Sequence, residues 1–502
     1  MKNRIQFKLP KIFRWTVVLM IGSQSVCFGQ DVLTLDEAMN IALKNSPDIV
    51  MAELNMTISE ENLNARNAAM KSQFYFQVAP FRYNQRRAFN DLVAKWNTNE
   101  SFGSSGEFVI SQPIVLTNGN ISLRNRLEYS DINSEYADIR SRGYNNDLYL
   151  VLSQPLFTYN KLRMDLDRLK LDLENTTLSY SIQRMYLEFQ VTQYFYEVYQ
   201  RQMALQIAED EYENQKVSLE IIRSKVLAGL SPEEELYQAE LNMETSKSNL
   251  QNSQVDLENT KDRFKQQIGI DLEGEFSVDA DIQYSIVNVD FNKAVQHGLE
   301  ARLELQQKEI SVQNSYNNLI EAKSINSFNG DLSLSIGLFG ENEELAHVYE
   351  HPVQSPNVMV SFNIPIFDWG ERKSRVKIAQ ANIKLQEMEL DNQKTAIELA
   401  IRQSYRRLLN LALQIEIAQK SLKNAQLTYE INLERYKNGD LTSMDLGLFQ
   451  TQLSEKKMTL SNSLISYKLE LLNMKIQSLW DFQNNTSYVP QNLQKNLRTI
   501  EN

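Results

Sequence analysis

Residues 433–454, LERYKNGDLTSMDLGLFQTQLS, stop a long helical pattern at Gly439 and restart it on an acid-bearing turn, and residues 222–242, IRSKVLAGLSPEEELYQAELN, do the same. A constant shift of 210 superimposes Tyr436 on Val226, Gly439 on Gly229, Asp445 on Glu235 and Leu446 on Leu236, with no gap. A turn made twice in register marks an internal duplication, and a duplication constrains the fold more than any single motif. The chain must accommodate two like units, each sending out a long helix that reverses onto a shorter one.

The helical pattern itself is a seam. From Leu408, apolar or small residues recur at spacings of three and four through Leu411, Ile415, Ala418, Leu422, Ala425 and Tyr429 to Tyr436, past Asn432. The shift of 210 gives Val198, Leu205, Ala208, Tyr212, Leu219, Ile222 and Val226, interrupted at Arg201 and Gln215. Such spacing predicts coiled-coil packing. Helices are expected over about 36–70, 161–228, 232–268, 291–324, 371–438 and 443–480, and a helix of some 68 residues at ~1.5 Å each is a rod of about 100 Å. At the turns, Gly229 and Gly439 can adopt the left-handed conformation that ends a helix. Ser231 as N-cap, Pro232 in the first turn and Glu234 as the capping-box acid would restart the first helix; Thr442 and Asp445 repeat the cap and the acid. Capping does not account for Leu230 and Leu441, an apolar residue at each tip, beside carboxylates that include Glu233, Glu234 and Glu235.

The front halves also match. LTLDEAMNIALKNSPDI from Leu33 aligns with VDFNKAVQHGLEARLEL from Val289 at a constant difference of 256, so the first unit carries an insertion of 46 relative to the second. It falls in the non-helical stretch of about 80–147, where Asn118-Gly119 between alternating segments is a hairpin signal. An extra hairpin is expected there, either in the wall of the sheet or above it. The strand-like regions, about 72–157 and 328–369, alternate: Leu148, Leu150 and Leu152; Leu332, Leu334, Ile336 and Leu338; Val358, Val360, Phe362, Ile364 and Ile366. Segments of about ten residues with one apolar face suit an outer-membrane barrel strand, and equally the face of a soluble sandwich.

Composition narrows the classes. With 16 Gly and 10 Pro in 502 residues, and no Pro/Gly/Ser linker, long helices in one duplicated unit are favoured over several small domains. Residues 1–29, with Lys2, Arg4, Lys8, Lys11 and Arg14 ahead of the apolar run Trp15 to Gly22, read as a secretory signal peptide cleaved after Gly29. Acylation of Cys27 is the rival use of that segment; Val26 and Gln24 stand where lipid attachment wants a small residue and a Leu. Removal of the signal leaves 47 of the 52 basic residues against 64 acidic ones, a net charge of −17 without cysteine. That balance does not suit a nucleic-acid binder. No later stretch approaches ~20 apolar residues, so a membrane-crossing part would have to be a β-barrel. Three histidines and no nucleophile, phosphate-loop or isolated carboxylate-pair pattern give enzymatic chemistry and cofactors no footing. His347 and His351, with Glu343 and Glu344, read as a polar loop between strands rather than a metal site. Phe157, Tyr159, Phe339, Phe367 and Trp369 near strand ends fit interfacial girdles, or ordinary core.

LTLDEAMNIALKNSPDI at the mature start, LSQPLF at 152–157 with NIPIFDWG at 363–370, and the two glycine-turn hairpins together resemble the TolC-like outer-membrane efflux proteins over nearly all of residues 31–482. The resemblance implies a mainly α chain with a membrane β-barrel part. Three copies would share a 12-stranded β-barrel, four strands from each, continued by a 12-helix α-barrel across the periplasm. It implies a passive, porin-like exit duct in the outer membrane, working with a periplasmic adaptor and an inner-membrane pump in efflux or type I secretion, its cargo open among drug, metal, peptide and protein. Residues 1–29 would be the signal peptide, 30–284 and 285–482 the two repeats, and 483–502 a polar tail. By position, Glu235 and Asp445 would line the periplasmic constriction with Tyr436 bracing it, Glu233 and Glu234 adding charge. Gly229, Leu230, Gly439 and Leu441 would form the adaptor-docking tips. Leu448 and Leu441 stand where the best-known member has an acid and a base, so the closed state cannot rest on the same ion pairs. An exported coiled-coil scaffold or adhesin, whose strands form a soluble domain, is the other reading.

Overall fold

The computed structural model describes residues 31–90, 95–134, 139–279, 285–438 and 440–489. The expected signal peptide, Gly439 and the end of the tail lie outside them. The elements run β1 (Asp31–Leu33), α1 (Leu35–Asn45), α2 (Pro47–Ala69), β2 (Gln73–Asn90), β3 (Lys95–Ile114), β4 (Gly119–Ser134), β5 (Ile139–Leu156), α3 (Lys161–Leu227), α4 (Glu233–Ile268) and β6 (Phe276–Val278). The second half follows with α5 (Phe291–Ala301), α6 (Leu303–Ser324), β7 (Asn329–Asn342), β8 (Val353–Asn363), α7 (Glu371–Lys437), α8 (Ser443–Ser478), β9 (Trp480–Asp481) and β10 (Thr486–Ser487).

The duplication is visible in lengths and in cores. Helices α3 and α7 each have 67 residues, and α4 and α8 each have 36. One core gathers Ala38, Leu187, Val191, Val198 and Phe264; the other gathers Ala294, Ile397, Ile401, Leu408 and Met474, the same places after shifts of 256 and 210. The seam residues Val198, Ala208, Leu219, Ile222, Leu408, Ile415 and Ala418 are buried, as the three-four spacing requires. Parallel pairing of β1 with β6 ties the described N-terminal end to the chain segment after α4. The start of the polar tail is docked: β10 pairs with β9, and the Tyr488 hydroxyl donates to Glu188 on α3.

Three local readings need correction. The helices expected over 36–70 and 291–324 are each broken once, at Ser46 and at Arg302, which take the same extended conformation (φ −57°, ψ 127° and φ −61°, ψ 123°) at equivalent places in the two repeats. Pro47 explains the first break, since proline disfavours helical geometry in the residue before it. The second has no proline; the Arg302 guanidinium donates to both Glu304 carboxylate oxygens (2.8 and 2.7 Å) and to Gln477 Oε1 of α8 (2.7 Å), holding the corner from outside. Among the aromatics, Phe339 falls on the opposite face of its strand from Leu338, so it does not join Phe157, Phe367 and Trp369, which are exposed beyond the strand ends.

The sheet departs further from expectation. It holds six antiparallel strands in the order β2-β3-β4-β5-β7-β8, where the resemblance implies four. The insertion in the first repeat supplies the length for two more, and these join the sheet rather than standing apart from it. The segments read as alternating strands do share a face: Leu150 opposes Ile336, Leu152 opposes Leu334, and Leu334 opposes Val358.

Candidate functional site

The two reversals sit at the ends of the long helices, far from the sheet along the chain. At the first, Gly229 has φ +69°, and its turn is closed by Leu230 N–H donating to Lys225 O (2.8 Å) and Gly229 N–H to Val226 O (2.9 Å). This double closure is the Schellman ending of a helix. At the second, Asp440 N–H donates to Arg435 O (2.9 Å), the equivalent of the bond from Leu230 to Lys225.

The restarts differ from each other. Thr442 is the N-cap of α8 as read: its hydroxyl oxygen accepts from Asp445 N–H (3.2 Å), and the hydroxyl donates to Asp445 Oδ2 (2.7 Å). In α4 the cap is Pro232 rather than Ser231, no side chain caps it, and Glu234 forms no capping box. Pro232 is extended (ψ 154°), so the helix begins one residue later than read, and Glu233, Glu234 and Glu235 fill its first turn, where negative charge is favoured by the helix dipole. All three glutamates are exposed, as is Asp445, whose carboxylate is partly committed to its own cap.

The apolar tips also differ. Leu230 is 78% exposed and lines an open groove of about 660 Å³ along α3, with Val217 and Ile221 as its apolar floor and Glu213, Lys216, Glu220 and Lys225 on its rim. Leu441 is only half-exposed. Tyr436 is half-buried where the second hairpin meets α3, in a cleft of about 150 Å³ shared with Gln215, Ser218 and Ile221 on one side and Leu433 and Gly447 on the other. The structure thus brings Tyr436 against the far end of α3, next to the turn that carries Asp445. The first tip has its own small core of Leu219, Ile222 and Ala239, with Leu236 packed against it.

A residue that the seam reading stepped past is Asn432. It is 6% exposed, donates to Thr428 O (2.8 Å) and accepts from Arg435 (3.3 Å), so it pins the last turn of α7 beside the Arg435 carbonyl that closes the reversal. A polar residue on an otherwise apolar seam was the available signal. At the opposite end of the molecule, the loop 343–352 between β7 and β8 places His347 beside Glu344 (3.3 Å) and Glu350 (3.6 Å).

Comparison with known proteins agrees with this geometry. Residues 326–473 match the family described as outer membrane efflux protein. No curated protein matches the sequence. Among solved structures, the fold is similar to the CmeC outer membrane channel of Campylobacter jejuni (18% identity, TM-score 0.69, covering 93% of this chain and 88% of that one). It is similar to VceC, an outer membrane protein of Vibrio cholerae (12%, 0.64, 88% and 96%), and to the MtrE outer membrane channel of Neisseria gonorrhoeae in its open state (12%, 0.62, 88% and 88%). Residues 326–473 are thus similar to the outer membrane efflux protein family, and along most of its length the chain shares the fold of these outer-membrane channels.

Proposed function

We propose that the chain is the outer-membrane exit duct of a tripartite efflux or type I secretion system. Three copies share one β-barrel in the outer membrane, and α3, α4, α7 and α8 of each contribute to a 12-helix barrel across the periplasm. The observation that best supports this is the junction between sheet and rods: strands with one exposed apolar face run directly into helices of 67 residues, about 100 Å at ~1.5 Å per residue. An apolar sheet face of that kind needs lipid or a partner to cover it. Rods attached to its edge then reach away from the membrane, and their tips carry the acids.

In this reading the duct is passive and the tips are its gate. Glu235 and Asp445 line the constriction, Glu233 and Glu234 add charge, and Tyr436 holds the second hairpin against α3. Gly229, Leu230, Gly439 and Leu441 form the surface that meets a periplasmic adaptor, with an inner-membrane pump beyond it. The chain divides into a signal peptide (1–29), two repeats (30–284 and 285–482) and a tail (483–502).

Membrane fractionation tests the function. The protein is expected in the outer-membrane fraction, resistant to alkaline extraction, and to change its gel mobility on heating, as closed β-barrels do. Complete release as a soluble, folded protein would instead favour an exported coiled-coil scaffold or adhesin.

A further inference from the structure

Resting on the outer-membrane reading, we infer that all six strands of each chain lie in the lipid-facing wall, with β2 of one copy pairing with β8 of the next, so that three copies close an eighteen-stranded barrel. The registers carry one apolar face across the whole sheet. One row runs Phe74, Ile110, Leu123, Leu150, Ile336 over β2, β3, β4, β5 and β7; the neighbouring row runs Ile121, Leu152, Leu334, Val358 over β4, β5, β7 and β8. On this face Phe108, Ile121 and Leu123 on β3 and β4 are exposed like Ile336 on β7, and further along it Asn146 of β5 donates to Asn125 of β4 (3.3 Å). A hairpin standing clear of the membrane would gain nothing from that pattern.

The opposite face is polar on the same strands. Arg82 on β2 crosses over Gly103 on β3, where no side chain obstructs it, to pair with Glu128 on β4, which also takes Arg126 (2.6 Å). Charged groups joined across three strands suit a water-filled lumen. The added hairpin also spans the full height of the sheet. Its turn lies at the helical end, where Asn118 (φ 61°) accepts from Leu162 N–H (3.1 Å) and Asn160 donates to Val115 O (2.6 Å), so β3 and β4 start from the level at which α3 begins.

Barrels of about sixteen to eighteen strands leave an aqueous channel, as a polar inner face requires.

The only cysteine of the sequence is Cys27 in the signal segment, so single cysteines report cleanly. Phe108→Cys, Leu123→Cys and Ile336→Cys, each carrying an environment-sensitive fluorophore in proteoliposomes, should be quenched alike by brominated phospholipid, whereas Arg124→Cys on the polar face should respond to aqueous iodide. Quenching at Ile336→Cys alone would overturn the inference and leave the outer-membrane duct standing, with β3 and β4 off the wall. No lipid quenching at any of the three would overturn both. A strand count by electron cryo-microscopy of the unmodified protein in nanodiscs decides the matter independently of the variants: eighteen supports the inference and twelve contradicts it.

Discussion

Two glycines with nearly the same backbone conformation carry different burdens. Gly229 has φ +69° with nothing within 4 Å of where a Cβ would stand; Gly269, at the end of α4, has φ +74°, and a Cβ there would lie 2.1 Å from Asn45 O. Gly229→Ala is therefore expected to cost only the left-handed strain, ~1 kcal/mol, and to speed hydrogen exchange locally at the tip. Gly269→Ala adds overpacking against the backbone to that strain, roughly 3 kcal/mol together, and should lower the apparent melting temperature in detergent. Equal effects of the two substitutions on melting would contradict this assignment. The sequence marks Gly229 as a helix end, but the burden on Gly269 comes from the fold, because Asn45 closes α1 and is brought to the end of α4 from far along the chain.

Elements were legible where their signal was local and periodic. The seam from Leu408 to Tyr436, the glycine at 229 and the cap at Thr442 all stand within a few residues of what they specify, and the helix bounds follow from them. The break at Arg302 was not legible, because it is held by Gln477 from another helix. Arg302 is 6% exposed, so Arg302→Ala leaves Glu304 without its buried partner and is expected to cost about 3 kcal/mol, seen as a lower melting temperature with outer-membrane insertion retained. An unchanged melting temperature would mean that the corner is set by the chain alone. The extra hairpin was legible from the insertion and from Asn118-Gly119, but its place in the sheet was not: alternation is read in three segments, while Phe74, Phe108 and Leu123 follow the same face in segments rich in Arg, Asn and Ser. At the tips, Leu230→Asp should abolish export while leaving assembly intact, with a smaller effect for Leu441→Asp in keeping with its half-buried side chain. Normal export by both variants would place adaptor docking elsewhere.

For the whole molecule, the acids after each reversal become meaningful only in company. In the proposed trimer, Glu235 and Asp445 would place six carboxylates around one axis, and such a ring would attract cations and respond to multivalent ones. In planar bilayers, wild type should be cation-selective and blocked by a trivalent cation added on the periplasmic side, and Glu235→Gln/Asp445→Asn should weaken both properties. If neither changes, the two acids serve their helices alone. Beneath this lies the claim that one chain cannot make the duct: a six-stranded sheet falls short of the roughly eight strands that close the smallest membrane barrels, and open edges in lipid leave backbone groups unpaired. The most direct test is the mass of the detergent-solubilised protein by light scattering, corrected for bound detergent. The account predicts a particle of three chains; a stable, folded particle with the mass of one chain would contradict it.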